Sequence, residues 1–189
     1  MEQALISIAA QAYREPREAG VRLLSLGVPK AAIWPAFGVI VLVSVLIGAV
    51  SDLIAPPAVE APVSYFLMAV LLGVVFLSFA AAIWKVGQLL GGKGSFEESL
   101  LIGVFFQAAL LPLQALQLVL AIVMPGLAGI YGIALLLFGI WVNVNLIDAL
   151  HGYASFARSL GVMLLASFVA AIALLIAVAL FGHSLLGPM

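Results

Sequence analysis

The chain has 189 residues, of which 66% are hydrophobic and 8% are charged, with a formal net charge of −1 and no cysteine. An ordinary soluble domain is about 25% charged, so this chain has too few polar side chains to cover a surface in water, and lipid is its expected solvent. The neutral balance excludes the basic surface that nucleic-acid binding needs. The lack of cysteine excludes disulfides, thiolate metal sites and cysteine nucleophiles.

Residues 1–30 precede the first long apolar run and are expected to form a short cytoplasmic segment. Apolar residues at helical spacing give it a modest hydrophobic face: Leu5, Ile6, Ala9, Ala10 and Tyr13. Pro16 can occupy the first turn of a second short helix, and Gly27 with Pro29 then supplies a stop. The pattern suits an amphipathic helix in the membrane interface, with its arginines toward the headgroups, and it suits a partly ordered tail equally well.

Five apolar runs follow, each about as long as the 20 residues that an α-helix needs to cross a hydrocarbon core of about 30 Å. They cover approximately residues 31–51, 63–84, 99–122, 127–147 and 160–181. We therefore predict an all-α, polytopic transmembrane bundle of five helices, with a membrane domain over residues 31–189.

The seven Lys and Arg residues indicate the orientation of this bundle. Alternate threading places all of them on one face: Arg14, Arg17, Arg22 and Lys30 before the first span, Lys85 and Lys93 after the second, and Arg158 after the fourth. The 52–62 loop, the 123–126 turn and the tail from Gly182 carry none. The positive-inside rule then predicts a cytoplasmic N-terminus and an outer C-terminus, in the inner membrane if the source is bacterial.

Prolines in the spans predict turns and bends, and small residues predict close contacts between helices. Pro35 is expected in the first turn of the first span, where proline is tolerated, whereas Pro112 lies mid-membrane in the third span and should bend it. The 124–126 segment Met-Pro-Gly predicts a tight turn that makes the third and fourth spans antiparallel neighbours. One side of the fifth span suits close packing within the bundle or a homo-oligomeric interface: Ala166, Ala170, Ala173 and Ala177.

Amide side chains form the main polar feature inside the spans. Gln107, Gln114 and Gln117 lie within about 80° of one another on the third span, and the fourth span adds Asn143 and Asn145. Amides in hydrocarbon need hydrogen-bond partners, so bonds between helices are the first interpretation. A hydrated cavity or a lipid-headgroup groove lined by these amides is the alternative.

The loop over residues 87–95 reads Gly-Gln-Leu-Leu-Gly-Gly-Lys-Gly-Ser. It begins like a phosphate-binding G-x-x-x-x-G-K pattern, but Gly94 stands where a hydroxyl for magnesium is required, and no β-strand precedes it. A flexible turn explains the loop better, with Ser95 and Glu98 forming the capping box of the next helix.

Asp148, His151 and Arg158 gather at the predicted cytoplasmic mouth between the fourth and fifth spans, and Lys93 lies on the same face. Such groups can bind a headgroup phosphate or a partner protein, but ordinary polarity at helix ends explains them as well. The sequence contains no recognisable nucleophile–base pair or metal cluster, so we expect no catalytic residue, no metal and no cofactor.

Taken together, these features resemble the Yip family of Ypt/Rab-interacting membrane proteins, in particular its short bacterial members. The residues that carry the likeness are Arg14-Glu15-Pro16-Arg17, the 91–96 segment Gly-Gly-Lys-Gly-Ser-Phe, Pro112, Trp141, and His151-Gly152 followed by Arg158. The likeness covers about residues 12–181, and its most specific part is the glycine-rich loop together with the segment from His151 to Arg158.

The resemblance implies a multi-pass protein that works by association rather than by catalysis, with membrane lipids, other membrane proteins or its own copies as partners. Eukaryotic relatives act in vesicle traffic and bind prenylated small GTPases. This chain has a shorter N-terminal segment and lacks their aspartate-leucine-tyrosine-glycine-proline element, so a GTPase partner gains little support. The residues leave a second function open, that of a small transporter or channel for a solute or lipid through a groove lined by Gln and Asn.

Overall fold

The computed structural model describes residues 2–54 and 64–185, and over those residues it contains seven α-helices and no β-strand. The helices are α1 (Glu2–Ala12), α2 (Pro16–Ser25), α3 (Lys30–Ile54), α4 (Tyr65–Leu89), α5 (Phe96–Val123), α6 (Pro125–His151) and α7 (Phe156–Leu185). The predicted all-α class is thus confirmed for the described part of the chain. Most of the predicted 52–62 loop and the end of the C-terminal tail lie outside the described residues.

Five of the helices, α3 to α7, are long and apolar enough to cross a membrane, as predicted. They contain 25 to 30 residues each. At 1.5 Å per residue they extend about 37–45 Å, which exceeds a hydrocarbon core of about 30 Å. α3, α5, α6 and α7 extend past both ends of their predicted spans, whereas α4 begins at Tyr65 and extends past only the later end of its predicted span. The side on which each end lies stays a prediction.

The structure contradicts the prediction for Pro35 and confirms the one for the turn that contains Pro125. The placement of Pro35 in the first turn was wrong, because α3 already begins at Lys30 and Pro35 lies inside the helix. There it removes the hydrogen bond that its N–H would have donated to the carbonyl of Ala31. Pro125 is the first residue of α6, and Met124 caps the end of α5 and the start of α6. The predicted tight turn is therefore confirmed.

Helices α5 and α6 run antiparallel from this turn, and α7 packs mainly along α4. Near the turn Gly132 of α6 lies against the side chain of Gln117, and further along Gly139 lies against Leu110. Three of the four predicted small residues on α7 are at most 5% exposed within a single chain: Ala166, Ala170 and Ala177. Their burial favours packing within the bundle over an interface between copies.

Pro112 lies inside α5, where it takes one N–H out of the helical hydrogen bonding. On one side of it the Tyr13 hydroxyl donates to the carbonyl of Ala109 at 2.5 Å. On the other side the Tyr131 hydroxyl donates to the carbonyl of Leu113 at 3.1 Å. Neighbouring elements therefore supply donors to the backbone beside this proline, in apolar surroundings where water is scarce. The predicted bend of α5 stays a prediction.

The two N-terminal helices pack on the bundle: α1 contacts α2 and α5, and α2 lies along α6. Their inward side chains are at most 1% exposed: Ile8, Ala12, Ala19 and Leu23. A Cβ at Gly20 would lie 2.8 Å from the Cβ of Ala149, so the close approach of α2 to α6 requires glycine. The segment is therefore helical and held against the bundle, while its position in the membrane interface stays a prediction.

Candidate functional site

The end of α4 and the loop after it enclose the ring of His151, the last residue of α6. A Cβ added to Gly87 or Gly92 would come within 3.0 Å of imidazole atoms, and one added to Gly94 would reach Leu150 and His151. His151 is only 2% exposed. The three glycines therefore leave the space that the imidazole fills.

Hydrogen bonds to two backbone groups define the protonation state and the tautomer of the His151 imidazole. The N–H of Gly94 donates to Nδ1 at 3.3 Å, and Nε2 lies 3.1 Å from the carbonyl oxygen of Ile83. An amide N–H can only donate and a carbonyl can only accept, so the ring is neutral and carries its hydrogen on Nε2. His151 thus connects the end of α6 with α4 and with the loop that leads to α5.

Tyr153 completes the enclosure of this histidine. Its ring stacks on His151 with centroids 5.2 Å apart, and its hydroxyl donates to the carbonyl of Gly87. Burial raises the pKa of Tyr153 above its ordinary value of 10.0, although the nearby charge of Arg158 opposes the shift. The phenol therefore stays protonated, and remains a donor, at neutral pH.

The glycine-rich loop ends in the predicted capping box. The Ser95 hydroxyl accepts from the N–H of Glu98 at 3.3 Å, and the Glu98 carboxylate accepts from the N–H of Ser95 at 2.8 Å. The capping-box prediction is confirmed. The loop encloses a side chain of its own chain, which agrees with the preference for a turn over a nucleotide site.

Asp148 is a second buried polar centre, 4% exposed and one helical turn before His151. One carboxylate oxygen accepts from Nε of Arg17 in α2 at 2.5 Å. The other accepts from the N–H of Ser155 at 3.0 Å and from the hydroxyl of Ser159 at 3.2 Å. The carboxylate therefore joins α2, α6 and the start of α7. Arg17 thus pairs with a residue of the bundle, and contact between the arginines and headgroups stays a prediction.

The four residues predicted at the cytoplasmic mouth do not converge on one open site. Asp148 and His151 are buried and bonded within the chain, whereas Lys93 and Arg158 are exposed. The Arg158 guanidinium lies 5.2 Å from the centroid of the Tyr153 ring. Lipid or partner contact through these residues stays a prediction, and the exposed pair is better placed for it.

Three of the five predicted intramembrane amides line one cavity of about 630 Å³: Gln114, Gln117 and Asn143. The cavity lies between α5, α6 and α7, and Phe79 of α4 also borders it. Ser167 adds a hydroxyl, and the other lining residues are apolar or glycine. The structure thus brings part of the polar stripe into a single, mainly apolar cavity.

Asn143 is the most unusual of these amides. It is 9% exposed, and its Oδ1 is one of two buried side-chain polar atoms without a hydrogen-bond partner in residues 2–54 and 64–185. The other is Nε1 of Trp84, which does not line the cavity. A buried acceptor without a donor is unfavourable in any protein interior and especially so in hydrocarbon.

The remaining two amides bond elsewhere. Nε2 of Gln107 lies 3.3 Å from the hydroxyl of Ser44 in α3 and 3.5 Å from Oε1 of Gln114. Nδ2 of Asn145 donates to the carbonyl of Trp141 in its own helix at 2.8 Å. Gln107 therefore joins α5 to α3, and its two hydrogen-bond partners do not include Asn143.

A second cavity of about 370 Å³ also has Gln114 and Gln117 in its wall. It reaches toward the predicted outer ends of the helices, with Ile54 of α3, Ala121 of α5 and Ala128 of α6 among its lining residues. The two glutamines thus stand between the two cavities.

The Yip1 domain family model matches residues 10–181, from within α1 to within α7. The chain belongs to the Yip1 domain family. This confirms the resemblance, and with the five apolar helices it makes the chain a multi-pass membrane protein. No curated protein and no solved structure is significantly similar to it.

Several residues of this Yip1-domain protein that shape the site were not predicted. Tyr153 and Tyr13 carry hydroxyls to backbone carbonyls, and Ser44 and Ser167 are hydroxyl residues within apolar runs. A hydroxyl within an apolar span is a sequence signal for helix contact, and it could have marked the two serines. The two tyrosines act across distant elements, which nothing in their local sequence indicates.

Proposed function

We propose that this Yip1-domain protein is a non-enzymatic membrane protein that acts by associating with lipids or with other membrane proteins. The observation that supports this is the internal bonding of the two groups best suited to chemistry. Both nitrogens of His151 and both oxygens of Asp148 have partners within the chain. A general acid or base needs an atom within hydrogen-bond reach of its substrate, and these two buried groups offer none.

The exposed charges at the predicted cytoplasmic ends support association with a membrane surface. Lys93 and Arg158 are exposed, and so is Lys85, whose ammonium lies 3.7 Å from the centroid of the Trp84 ring. Basic residues just outside a span attract anionic headgroups, and an aromatic ring at the same level suits the interface. We propose that these residues contact anionic lipid in a cytoplasmic-type membrane.

The experiment is native mass spectrometry of the protein extracted together with surrounding membrane. We expect a retained lipid or a second protein at a defined stoichiometry, with anionic lipid reduced in the double variant Lys93→Gln/Arg158→Gln. Lys30→Gln is the matched control, because Lys30 already pairs with Glu97 at 2.5 Å. Bare protein, or lipid in the proportions of the bulk membrane for every variant, would contradict the proposal.

The two cavities that share Gln114 and Gln117 favour a second candidate, a transporter or channel. Purified protein in liposomes would be tested for glycerol entry and for scrambling of a fluorescent phospholipid. A path through the amides requires flux that Gln114→Leu and Gln117→Leu abolish while the protein stays folded. If the wild type shows no flux and both variants fold, the amides have a structural role and do not line a path.

A further inference from the structure

We infer that one anionic glycerophospholipid binds where α1 and α2 meet the bundle, with its phosphate between Arg14 and Arg22 and an acyl chain along the groove between α5 and α6. This deepens the proposed function and rests on it, because it names the class of lipid and the site of the association. Two adjoining cavities support it, one polar and one apolar, and the ring of Tyr13 borders both.

The polar cavity is a basic pocket formed by α1, α2 and the turn between them. It has a volume of about 820 Å³, and its polar lining comes from Gln11, the hydroxyl residues Ser7 and Tyr13, and the charged residues Arg14, Glu15 and Arg22. Two guanidinium groups against one carboxylate leave an excess of one positive charge. A guanidinium presents several N–H donors in one plane, which match the oxygens of a phosphate. The pocket therefore favours a ligand with a single phosphate.

Hydrogen bonds inside this pocket leave the positive charges available. Nε2 of Gln11 donates to the Glu15 carboxylate at 2.9 Å, and Oε1 of the same amide accepts from Nη1 of Arg22 at 2.5 Å. Gln11 thus separates the carboxylate from the guanidinium of Arg22. In the described part of the chain neither Arg14 nor Arg22 forms an ion pair, and both residues are exposed. An anion from outside the chain can therefore pair with them.

Tyr13 places the pocket beside the membrane-spanning helices. Its hydroxyl donates to the carbonyl of Ala109 in α5, and its ring centroid lies 6.2 Å from that of Phe138 in α6. The Phe138 ring in turn lies 5.7 Å from that of Trp141, which is about 9 Å inside the predicted cytoplasmic end of the fourth span. Tyrosine and tryptophan are typical of the membrane interface. The pocket is therefore within reach of lipid headgroups.

The apolar cavity continues from Tyr13 between α5 and α6. It has a volume of about 320 Å³, and its other lining residues are Leu113, Tyr131, Ala134, Leu135 and Phe138. From Phe138 to Tyr131 it follows about 10 Å of α6, toward the predicted outer side and so into the hydrocarbon region. The Tyr131 hydroxyl, like that of Tyr13, donates to a backbone carbonyl of α5. The cavity thus offers mainly apolar contacts, which suit an acyl chain, and a soluble phosphate would leave it unfilled.

The test is retention of defined ligands by purified, delipidated protein in native mass spectrometry. The probes are dioleoyl phosphatidylglycerol, dioleoyl phosphatidylcholine, which has the same chains and no net charge, and glycerol 3-phosphate, which has no chains. We expect phosphatidylglycerol to be retained about tenfold more than phosphatidylcholine, because one hydrogen bond between charged groups is of this order. Glycerol 3-phosphate should not be retained at the same concentration.

The variant that tests the phosphate contact is Arg14→Gln. It removes a charge that has no ion-pair partner in the described residues, so the protein should fold, and it should lower the retention of phosphatidylglycerol about tenfold. Lys30→Gln is the control and should change nothing, because Lys30 pairs with Glu97 and borders neither cavity.

A second variant tests the acyl chain without a change of charge. Ala134→Phe adds bulk to the apolar cavity from an exposed position of α6, and it should lower the retention of phosphatidylglycerol about tenfold, as expected from the loss of about two buried methylene groups. Ile133→Phe is the control, since this neighbouring residue is exposed and does not border the cavity.

Unchanged retention in folded Arg14→Gln or Ala134→Phe would overturn the inference. Retention of glycerol 3-phosphate as strong as that of the lipid would also overturn it, because the ligand would then be a free phosphate. If anionic lipid is lost only from Lys93→Gln/Arg158→Gln, or if a protein is retained in place of lipid, this inference fails and the proposed function stands. If the wild type retains neither lipid nor protein, both fail.

Discussion

The backbone N–H of Gly94 donates a hydrogen bond to Nδ1 of His151, 3.3 Å away and 57 positions along the chain. These two residues belong to the two segments that make the family resemblance most specific. Their contact explains why the segments occur together, since the glycines leave a space that the imidazole fills. The motif that resembles a phosphate-binding loop thus has a physical reason unrelated to nucleotides.

Gly92→Ala should destabilise the protein by about 1–3 kcal/mol, because its Cβ would meet a ring that hydrogen bonds hold in place. Thermal unfolding in detergent would show a lower melting temperature, by about 2–4 °C for each kcal/mol. Gly161→Ala in α7 is the control, since no heavy atom lies within 4 Å of its added Cβ. In a His151→Ala background the cost of Gly92→Ala should shrink, and additive costs would contradict the enclosure of the ring.

The ion pair between Arg17 and Asp148 should hold the N-terminal helices on the bundle. Asp148→Ala removes an acceptor used by Arg17, Ser155 and Ser159, and we expect a cost of about 2–4 kcal/mol. Arg17→Met should cost about 1 kcal/mol, because the Arg17 side chain is 40% exposed and solvent screens the pair. In both variants, limited proteolysis should release residues 2–25 faster than it does in the wild type.

The control for this pair is Lys30→Met. Lys30 and Glu97 form an ion pair whose side chains are 74% and 30% exposed, so its loss should change stability by less than about 0.5 kcal/mol. Equal effects of Arg17→Met and Lys30→Met on proteolysis would show that Arg17 does not anchor the N-terminal helices.

The tyrosine hydroxyls beside Pro112 should stabilise α5 at its interrupted turn. Tyr13→Phe removes the donor to the Ala109 carbonyl and should cost about 0.6–1 kcal/mol, measured by thermal unfolding. Pro112→Ala restores the N–H that donates to the Ala108 carbonyl and removes the ring that crowds this turn, so Tyr13→Phe should cost less in that background. Tyr65→Phe, at an exposed position, serves as the control. If Tyr13→Phe costs the same with Pro112 and in the Pro112→Ala background, the Tyr13 hydroxyl does not compensate for the proline.

The local features were predictable because they depend on neighbours in sequence. Ser95 and Glu98 lie three residues apart, and Pro16 begins α2 as expected of a residue without an N–H. The five spans follow from length and apolarity alone. Pro35 was misplaced because α3 begins at Lys30, so that Pro35 is the sixth residue of the helix and lies beyond its first turn.

The site depends instead on contacts between distant parts of the chain. His151 was recognised as a polar group at a helix end, but the sequence gives no measure of how closely Gly87 and Gly92 approach it. Likewise, Asn143 was grouped with the other amides, whereas its lack of a partner within the described residues follows only from how α5 to α7 pack. Helical spacing fixes which face a residue occupies, and only tertiary packing decides what lies opposite.

The predicted threading of the bundle puts the glycine-rich loop and the α5–α6 turn on opposite sides of the membrane, and the placement of the exposed basic residues on the cytoplasmic side depends on it. The chain has no cysteine, so single cysteines at Ala10, Lys93 and Met124 can be labelled without background by an impermeant maleimide in oriented vesicles. All three positions are exposed. We predict labelling of Ala10→Cys and Lys93→Cys from the cytoplasmic side alone and of Met124→Cys from the outer side alone. Labelling of Lys93→Cys and Met124→Cys from the same side would contradict the five-span arrangement and the sites derived from it.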